Sequence, residues 1–246
     1  AVIGGALALA LLVRDEKPSG AGFPVGDDGI AAHSSLSDRT ELFGSPLLAA
    51  VVGGSVALAG EMVRALTVGL DYIVRGGRDG RVHADRLVTG GLFAHGRNPM
   101  YVGNLLIVTG LALAADSVVA LAVAPALFLF AYHCIVSAEE RYLEGRFGDR
   151  YRDYCAATPR FGIRLSGLGA TIAAAPFHWR RVVVKEYGTI FALFSGILLL
   201  TALNHVQQHG FEVAREPILG LAKVLALAAL AWLVTWYLKK ARRLVG

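Results

Sequence analysis

Uncharged apolar runs of a length that can cross a membrane recur along this chain. Phe43–Met62 is interrupted only by Glu61, and Met100–Ala115 and Val118–Ala138 are separated only by Asp116 and Ser117. Gly188–His205 follows, and then Pro217–Leu238, which holds Lys223 near its outer end. A bilayer core about 30 Å thick needs roughly 20 apolar residues in a helix, so each run predicts a spanning helix. The Asp116-Ser117 step leaves room only for a tight helical hairpin. Ala1–Val13 is apolar but reaches only about 20 Å at about 1.5 Å per residue. It is expected to be the trimmed end of a first span, with the tail of a signal peptide as the alternative. The expected fold class is therefore all-α: a polytopic helical membrane protein with five full spans, one truncated N-terminal span and a core built around the hairpin. Three regions follow: 1–44, the truncated span and an outer loop; 45–186, the core; and 187–246, two C-terminal spans.

Composition agrees. Hydrophobic residues make up 55% of the 246, charged residues 17%, and the mean hydropathy is +0.53. Soluble domains carry about 25% charged residues, so an ordinary soluble enzyme is disfavoured. Disorder and a disulfide scaffold are excluded by the apolar content and by a total of two cysteines.

The net charge of +5 could suggest nucleic acid until it is mapped onto loops. Six Lys and Arg lie between Arg64 and Arg97, nine between Arg141 and Lys185, and four from Lys239 on, against three between Arg14 and Glu41 and one at Arg215. With alternating spans the three rich segments share a side, which the positive-inside rule makes cytoplasmic. The charge is topological, and no nucleic-acid partner is expected. Cys134 in a span and Cys155 in a reducing region predict neither disulfide nor metal site. The loop Arg14–Gly44, rich in Pro and Gly, reads as a mobile linker.

Candidate chemistry gathers at the hairpin's two ends. On the entry side, Leu87–Gly103 reads LVTGGLFAHGRNPMYVG. Gly90 and Gly91 suit a turn, and Pro99 stands where a helix should begin. The free N–H groups there, beside Arg97, favour an anion, although a plain interfacial helix start explains them equally well. On the exit side, His133, Val136 and Glu140 share a helix face, with Glu139 next to Glu140. Adjacent carboxylates at a membrane-embedded helix end need a cation: Arg141, Arg97 or a ligand. One hairpin thus brings a cation site and an anion site together, which a zwitterionic amino-acid group would satisfy.

In order, Arg97, Pro99, Tyr101, Gly103, Glu139, Glu140, Leu143, Phe147, Gly148, Tyr151, Tyr154, Pro159 and Arg160 resemble the catalytic core of the integral membrane methyltransferases. That family includes isoprenylcysteine carboxyl methyltransferase and the phospholipid methyltransferases. The resemblance covers about Leu87–Phe161. Asn98 departs from it, standing where the family often has His; an amide cannot titrate near neutrality, so proton transfer at that position is in doubt.

The resemblance implies S-adenosyl-L-methionine as cofactor and a lipophilic or lipid acceptor entering from the bilayer. The expected cofactor shell is His95, Asn98, Pro99, Tyr101, Glu139, Glu140, Tyr151 and Tyr154, the tyrosines offering faces to a sulfonium or anchoring the domain at the headgroups. Arg97 and Glu140 are the expected catalytic pair: Glu140 takes the cofactor's ammonium, leaving Arg97 for a carboxylate of the cofactor or the acceptor. Glu140, His95 and His133 are candidate bases where the acceptor must lose a proton. The expected location is a bacterial inner membrane with the site facing the cytoplasm.

A nicotinamide-dependent membrane reductase of the sterol type shares the Arg-x-Pro and Tyr elements. The paired Glu139 and Glu140 and the Phe147-Gly148 step favour methyl transfer, and an inactive membrane scaffold is the third reading. Elsewhere, Glu61 and Arg64 are expected to pair within one helix. Ala170–Tyr187 is expected to be an interfacial amphipathic helix, and His205 and His209 a solvated pair on an outer loop. The last two spans would wall the acceptor cavity or form a contact in a homo-oligomer.

Overall fold

The structure is a computed structural model and describes residues 2–12, 41–71 and 86–241. The described residues are helical and contain no strand: α1 (Val2–Leu12), α2 (Pro46–Leu70), a 3-10 turn (Gly91–Ala94), α3 (Pro99–Ala114), α4 (Val118–Phe147), α5 (Asp149–Ala157), α6 (Leu168–Ala174) and α7 (Trp179–Lys240). Three of them, α2, α4 and α7, are long and apolar enough to cross a membrane, while α3 is a shorter apolar helix. Most of the expected 14–44 linker lies outside the described residues.

The contacts fall into two compact units, 1–58 with 107–127 and 191–230, and 59–106 with 128–190 and 231–246. In the first, α2 and α3 approach through small residues spaced by four. A Cβ on Gly53 would lie 2.5 Å from the Gly110 carbonyl oxygen, and one on Gly110 would lie 2.5 Å from the Ala57 nitrogen. Where lipid supplies no hydrophobic drive between helices, such close backbone packing holds them together. The α3–α4 turn falls at Asp116 and Ser117 as expected. Asp116 takes a positive φ of 53°, tolerable for Asp, and its Oδ1 accepts the backbone N–H groups of Leu42 and Phe43 at 3.0 and 2.8 Å. Ser117 Oγ accepts the Ala120 N–H and caps α4.

The outer loop expected between His205 and Pro217 is replaced by helix. The chain instead bends at Gly210 (φ 78°, ψ 163°) inside α7, where only glycine avoids a Cβ penalty. His205 and His209 stand on that helix with rings 5.6 Å apart.

In the second unit the two arms of α7 meet. Tyr187 stacks on Trp232 at 6.2 Å, and Lys239 donates to the Val184 carbonyl at 3.1 Å. A straight helix would hold the stacked rings more than about 60 Å apart, so Gly210 folds α7 back on itself. The expected single helix over Ala170–Tyr187 is also corrected. Pro176 lacks an N–H and forces Ala175 into extended backbone (φ −95°, ψ 138°), which ends α6 at Ala174. The chain restarts at Trp179, where the His178 N–H and Arg181 both donate to the Gly69 carbonyl at the end of α2. Glu186, on the segment read as a surface float, is completely buried.

Candidate functional site

Every expected site residue lies in the second unit. The entry segment 93–98 is clamped to the segment after α5. The Arg97 N–H donates to the Pro159 carbonyl and the Arg164 N–H to that of His95, both at 2.9 Å. Asn98 Nδ2 donates to the Arg160 carbonyl at 2.9 Å and the Tyr154 hydroxyl to that of Phe93 at 2.7 Å. At the crossing, a Cβ on Gly96 would come within 2.3 Å of the Gly162 oxygen, so the backbones touch where the sequence reads His-Gly-Arg.

Buried His95 spends both ring nitrogens on this clamp: Nδ1 lies 2.8 Å from the Arg164 carbonyl, and Nε2 lies 2.8 Å from Thr171 Oγ1. A carbonyl only accepts, so Nδ1 carries the proton. His95 was expected as a base or cofactor contact; in this structure both of its ring nitrogens face the clamp. Pro99 is buried at the first position of α3, where its missing N–H costs nothing.

At the far end of the hairpin, α4 delivers Glu139 and Glu140. Glu140 sits between two guanidinium groups, with Arg97 Nη1 2.9 Å from Oε1 and Arg160 Nη2 2.8 Å from Oε2. Arg97, one of the cations expected for the paired carboxylates, is the partner of Glu140 and also donates to Cys155 Sγ at 2.8 Å. All three side chains are partly sheltered from solvent. Glu139 Oε1 accepts the Tyr101 hydroxyl at 3.0 Å, and Tyr101 packs on Tyr132 with ring centroids 4.8 Å apart. Arg160 extends the cluster to Ser137 Oγ (2.7 Å) and lies over the Phe161 ring, which stacks on His133.

Burial raises the pKa values of Tyr151 and Tyr154 well above the ordinary phenol range, and the Arg97 charge only partly offsets this. Both phenols are therefore donors at any physiological pH. Tyr151 also lies against Cys155.

The sequence reading gave Arg160 and Cys155 no role. Arg160 was legible from charge alone: two adjacent carboxylates with one arginine leave an excess negative charge, and Pro159-Arg160 was already part of the matched pattern. Cys155 carries no such signal, being one helical turn from Tyr151. Among the described residues no three His, Cys, Asp or Glu side chains come together as metal ligands.

Residues 50–150 match the family model described as phospholipid methyltransferase. Among curated proteins the chain is similar to the cobalt-zinc-cadmium resistance protein CzcN of Cupriavidus metallidurans, 35% identical over 124 residues, which is 50% of this chain and 52% of that protein. It is also similar to the nickel-cobalt-cadmium resistance protein NccN of Alcaligenes xylosoxydans xylosoxydans, 30% identical over 137 residues, 56% of this chain and 58% of that protein. The chain thus spans little more than half the length of the curated relatives it matches. No solved structure matches it. The matched stretch, less than half of the chain, contains Arg97, Asn98, Pro99, Tyr101, Glu139 and Glu140, and over residues 50–150 the chain is similar to the phospholipid methyltransferase family.

Proposed function

We propose that the protein transfers a methyl group from S-adenosyl-L-methionine to a lipophilic acceptor at the membrane interface, an isoprenylcysteine-like carboxylate or another lipid. The observation that carries this reading is Glu140 held between Arg97 and Arg160 beside Glu139. The Nε–H groups of Arg97 and Arg160 are buried with no hydrogen-bond partner among the described residues, so both guanidinium groups keep a donor for an added carboxylate. An amino-acid zwitterion fits this set by partner exchange. Its ammonium takes a carboxylate and its carboxylate takes a guanidinium, so no charge is left unpaired in a sheltered site.

S-adenosyl-L-methionine would supply a methyl group activated on a sulfonium. The residues' part is placement and exclusion of water. Tyr101, with its ring fixed against Tyr132 and its hydroxyl on Glu139, presents an aromatic face beside the carboxylates. A carboxylate acceptor needs no base, whereas a thiol or ammonium acceptor would give its proton to Glu139 or Glu140.

The proposed setting is an inner membrane of bacterial type, with five full spans and the site on the cytoplasmic side. The loop charges and the two arms of α7 support it. Isothermal titration of the detergent-solubilised protein with S-adenosylhomocysteine and with NADPH tests the chemistry. Binding of the first alone is expected; binding of NADPH alone would make the protein a reductase, and binding of neither a scaffold.

A further inference from the structure

A second charged cluster lies away from the carboxylate site, within the apolar helices of the same unit. Arg64 of α2 is 6% exposed, Glu61 5%, Asn104 of α3 7% and Glu186 of α7 0%. Arg64 Nε lies 3.3 Å from Glu61 Oε2. Its Nη2 pairs with Glu186 and lies 3.3 Å from Thr189 Oγ1, and its Nη1 donates to Asn104 Oδ1. One guanidinium therefore ties three helices together. Ionisable groups inside a membrane helix are costly enough that each calls for a reason.

We propose that Arg64 is a positioning residue for the carboxylate site: by fixing Asn104 it sets the rotation of α3 that carries Tyr101 to Glu139. Asn104 and Tyr101 are three residues apart on one face of α3. Tyr132 of α4 packs against both, its ring on Tyr101 at 4.8 Å and its hydroxyl beside the Asn104 side chain. Tyr132 and Glu139, seven apart, share a face of α4 two turns long. The Tyr101 hydroxyl closes the path at 3.0 Å from Glu139. A turn of α3 that released Asn104 would also withdraw that hydroxyl.

The glycine of the Tyr-x-Gly pattern has its physical partner here. A Cβ on Gly103 would lie 2.7 Å from Arg64 Cγ and 2.8 Å from the Gly60 carbonyl oxygen. Gly103 and Arg64 thus form one fitted contact, in which the missing side chain is the space that the stem of Arg64 occupies. The interlocking of Glu186, Arg64, Asn104, Tyr132, Tyr101 and Glu139 couples the buried pair to the site's acidic end.

The inference rests on the methyltransferase reading only for its ligand readout, so the test has one arm with ligand and one without. In the full-length protein, Asn104→Ala should lower S-adenosylhomocysteine affinity about tenfold, and no further when combined with Glu139→Gln, as coupled neighbours do. Asn104→Ser, which keeps an oxygen acceptor for Arg64, should restore most of the loss. A staple that merely stabilises the fold would cost the same with Glu139 present or replaced, and that result overturns the proposal.

Without ligand, the infrared carboxyl band assigned to Glu139 by Glu139→Gln should shift in Asn104→Ala and should shift likewise in Tyr101→Phe. An unshifted band in folded protein overturns the proposal as well. This arm stands even if S-adenosylhomocysteine does not bind, a result that would fail the methyltransferase reading alone. If Asn104→Ala does not fold, the Gly103→Ala variant takes its place in both arms, with the same expected shift and the same overturning results.

Discussion

Arg97 and Glu140 meet at 2.9 Å although one precedes the α3–α4 hairpin and the other lies near its end. The hairpin thus closes a charged site on itself, and Arg160 from beyond α5 completes it from the other side of the same carboxylate. Glu140→Gln removes the negative charge from between two guanidinium groups and leaves both unpaired. Affinity for S-adenosylhomocysteine should fall by about 2 to 5 kcal/mol, the usual cost of losing one partner of a buried charged pair. Titration calorimetry measures it, and unchanged affinity would remove Glu140 from the site.

The clamp gives a second expectation. Gly96→Ala sets a Cβ within 2.3 Å of the Gly162 carbonyl oxygen, a backbone atom that cannot swing aside as a side-chain end could. Overpacking of this kind costs about 1 to 3 kcal/mol. Here it should also part the 93–98 and 159–164 segments, carrying Arg97 and Arg160 away from Glu140. The variant should melt at lower temperature and lose S-adenosylhomocysteine binding together. Full binding at wild-type melting temperature would show that the two segments do not need their contact.

What the sequence disclosed follows from the range of each signal. The hairpin was legible because the charge-free runs on either side of Asp116 and Ser117 leave no other turn, and Pro99 marked the start of α3 by a local rule. The pairing of Glu61 with Arg64 was equally local. Glu186 as a further partner of Arg64 was not legible, because that contact joins α2 to α7 and sequence spacing says nothing across such a distance. The length of α7 misled for a related reason. A polar stretch between two apolar runs looks like a loop, yet Gly210 alone reverses the chain and the polar residues remain helical. The clamp around His95 was not legible either, because a histidine carries no mark of its distant partners. Its actual partners, Arg164 and Thr171, lie about 70 residues on.

Alkaline pH should destabilise the clamp. Tyr151 and Tyr154 are held neutral by burial, with ionisation pushed well above the ordinary value. In the unfolded chain they ionise near pH 10. Their contribution is therefore fully present below about pH 10 and is lost as pH rises beyond it, because only the unfolded state gains by ionising. Tyrosinate absorbance of the folded protein should lack their titration until the unfolding transition. In Tyr154→Phe part of that late absorbance should vanish. A normal early titration of Tyr154 in folded protein would contradict its hydrogen bond to the Phe93 carbonyl.

The division of labour between the two arginines yields the last expectation. Arg97 uses one terminal nitrogen toward both Glu140 and Cys155, while Arg160 holds the other oxygen of Glu140. In Arg97→Lys the compact ammonium keeps a positive charge near Glu140, and Arg160 continues to anchor that carboxylate. The planar fork that can grip a second carboxylate while staying paired is lost. Cofactor affinity should accordingly change little. Turnover should fall about a hundredfold, the scale of a misplacement by about 1 Å in the reacting geometry, because the acceptor's head group loses its second contact. Steady-state kinetics at saturating S-adenosyl-L-methionine, beside calorimetric S-adenosylhomocysteine affinity, separates the two roles. A large loss of affinity with turnover at saturation preserved would instead assign Arg97 to the cofactor and leave the acceptor's head group to Arg160.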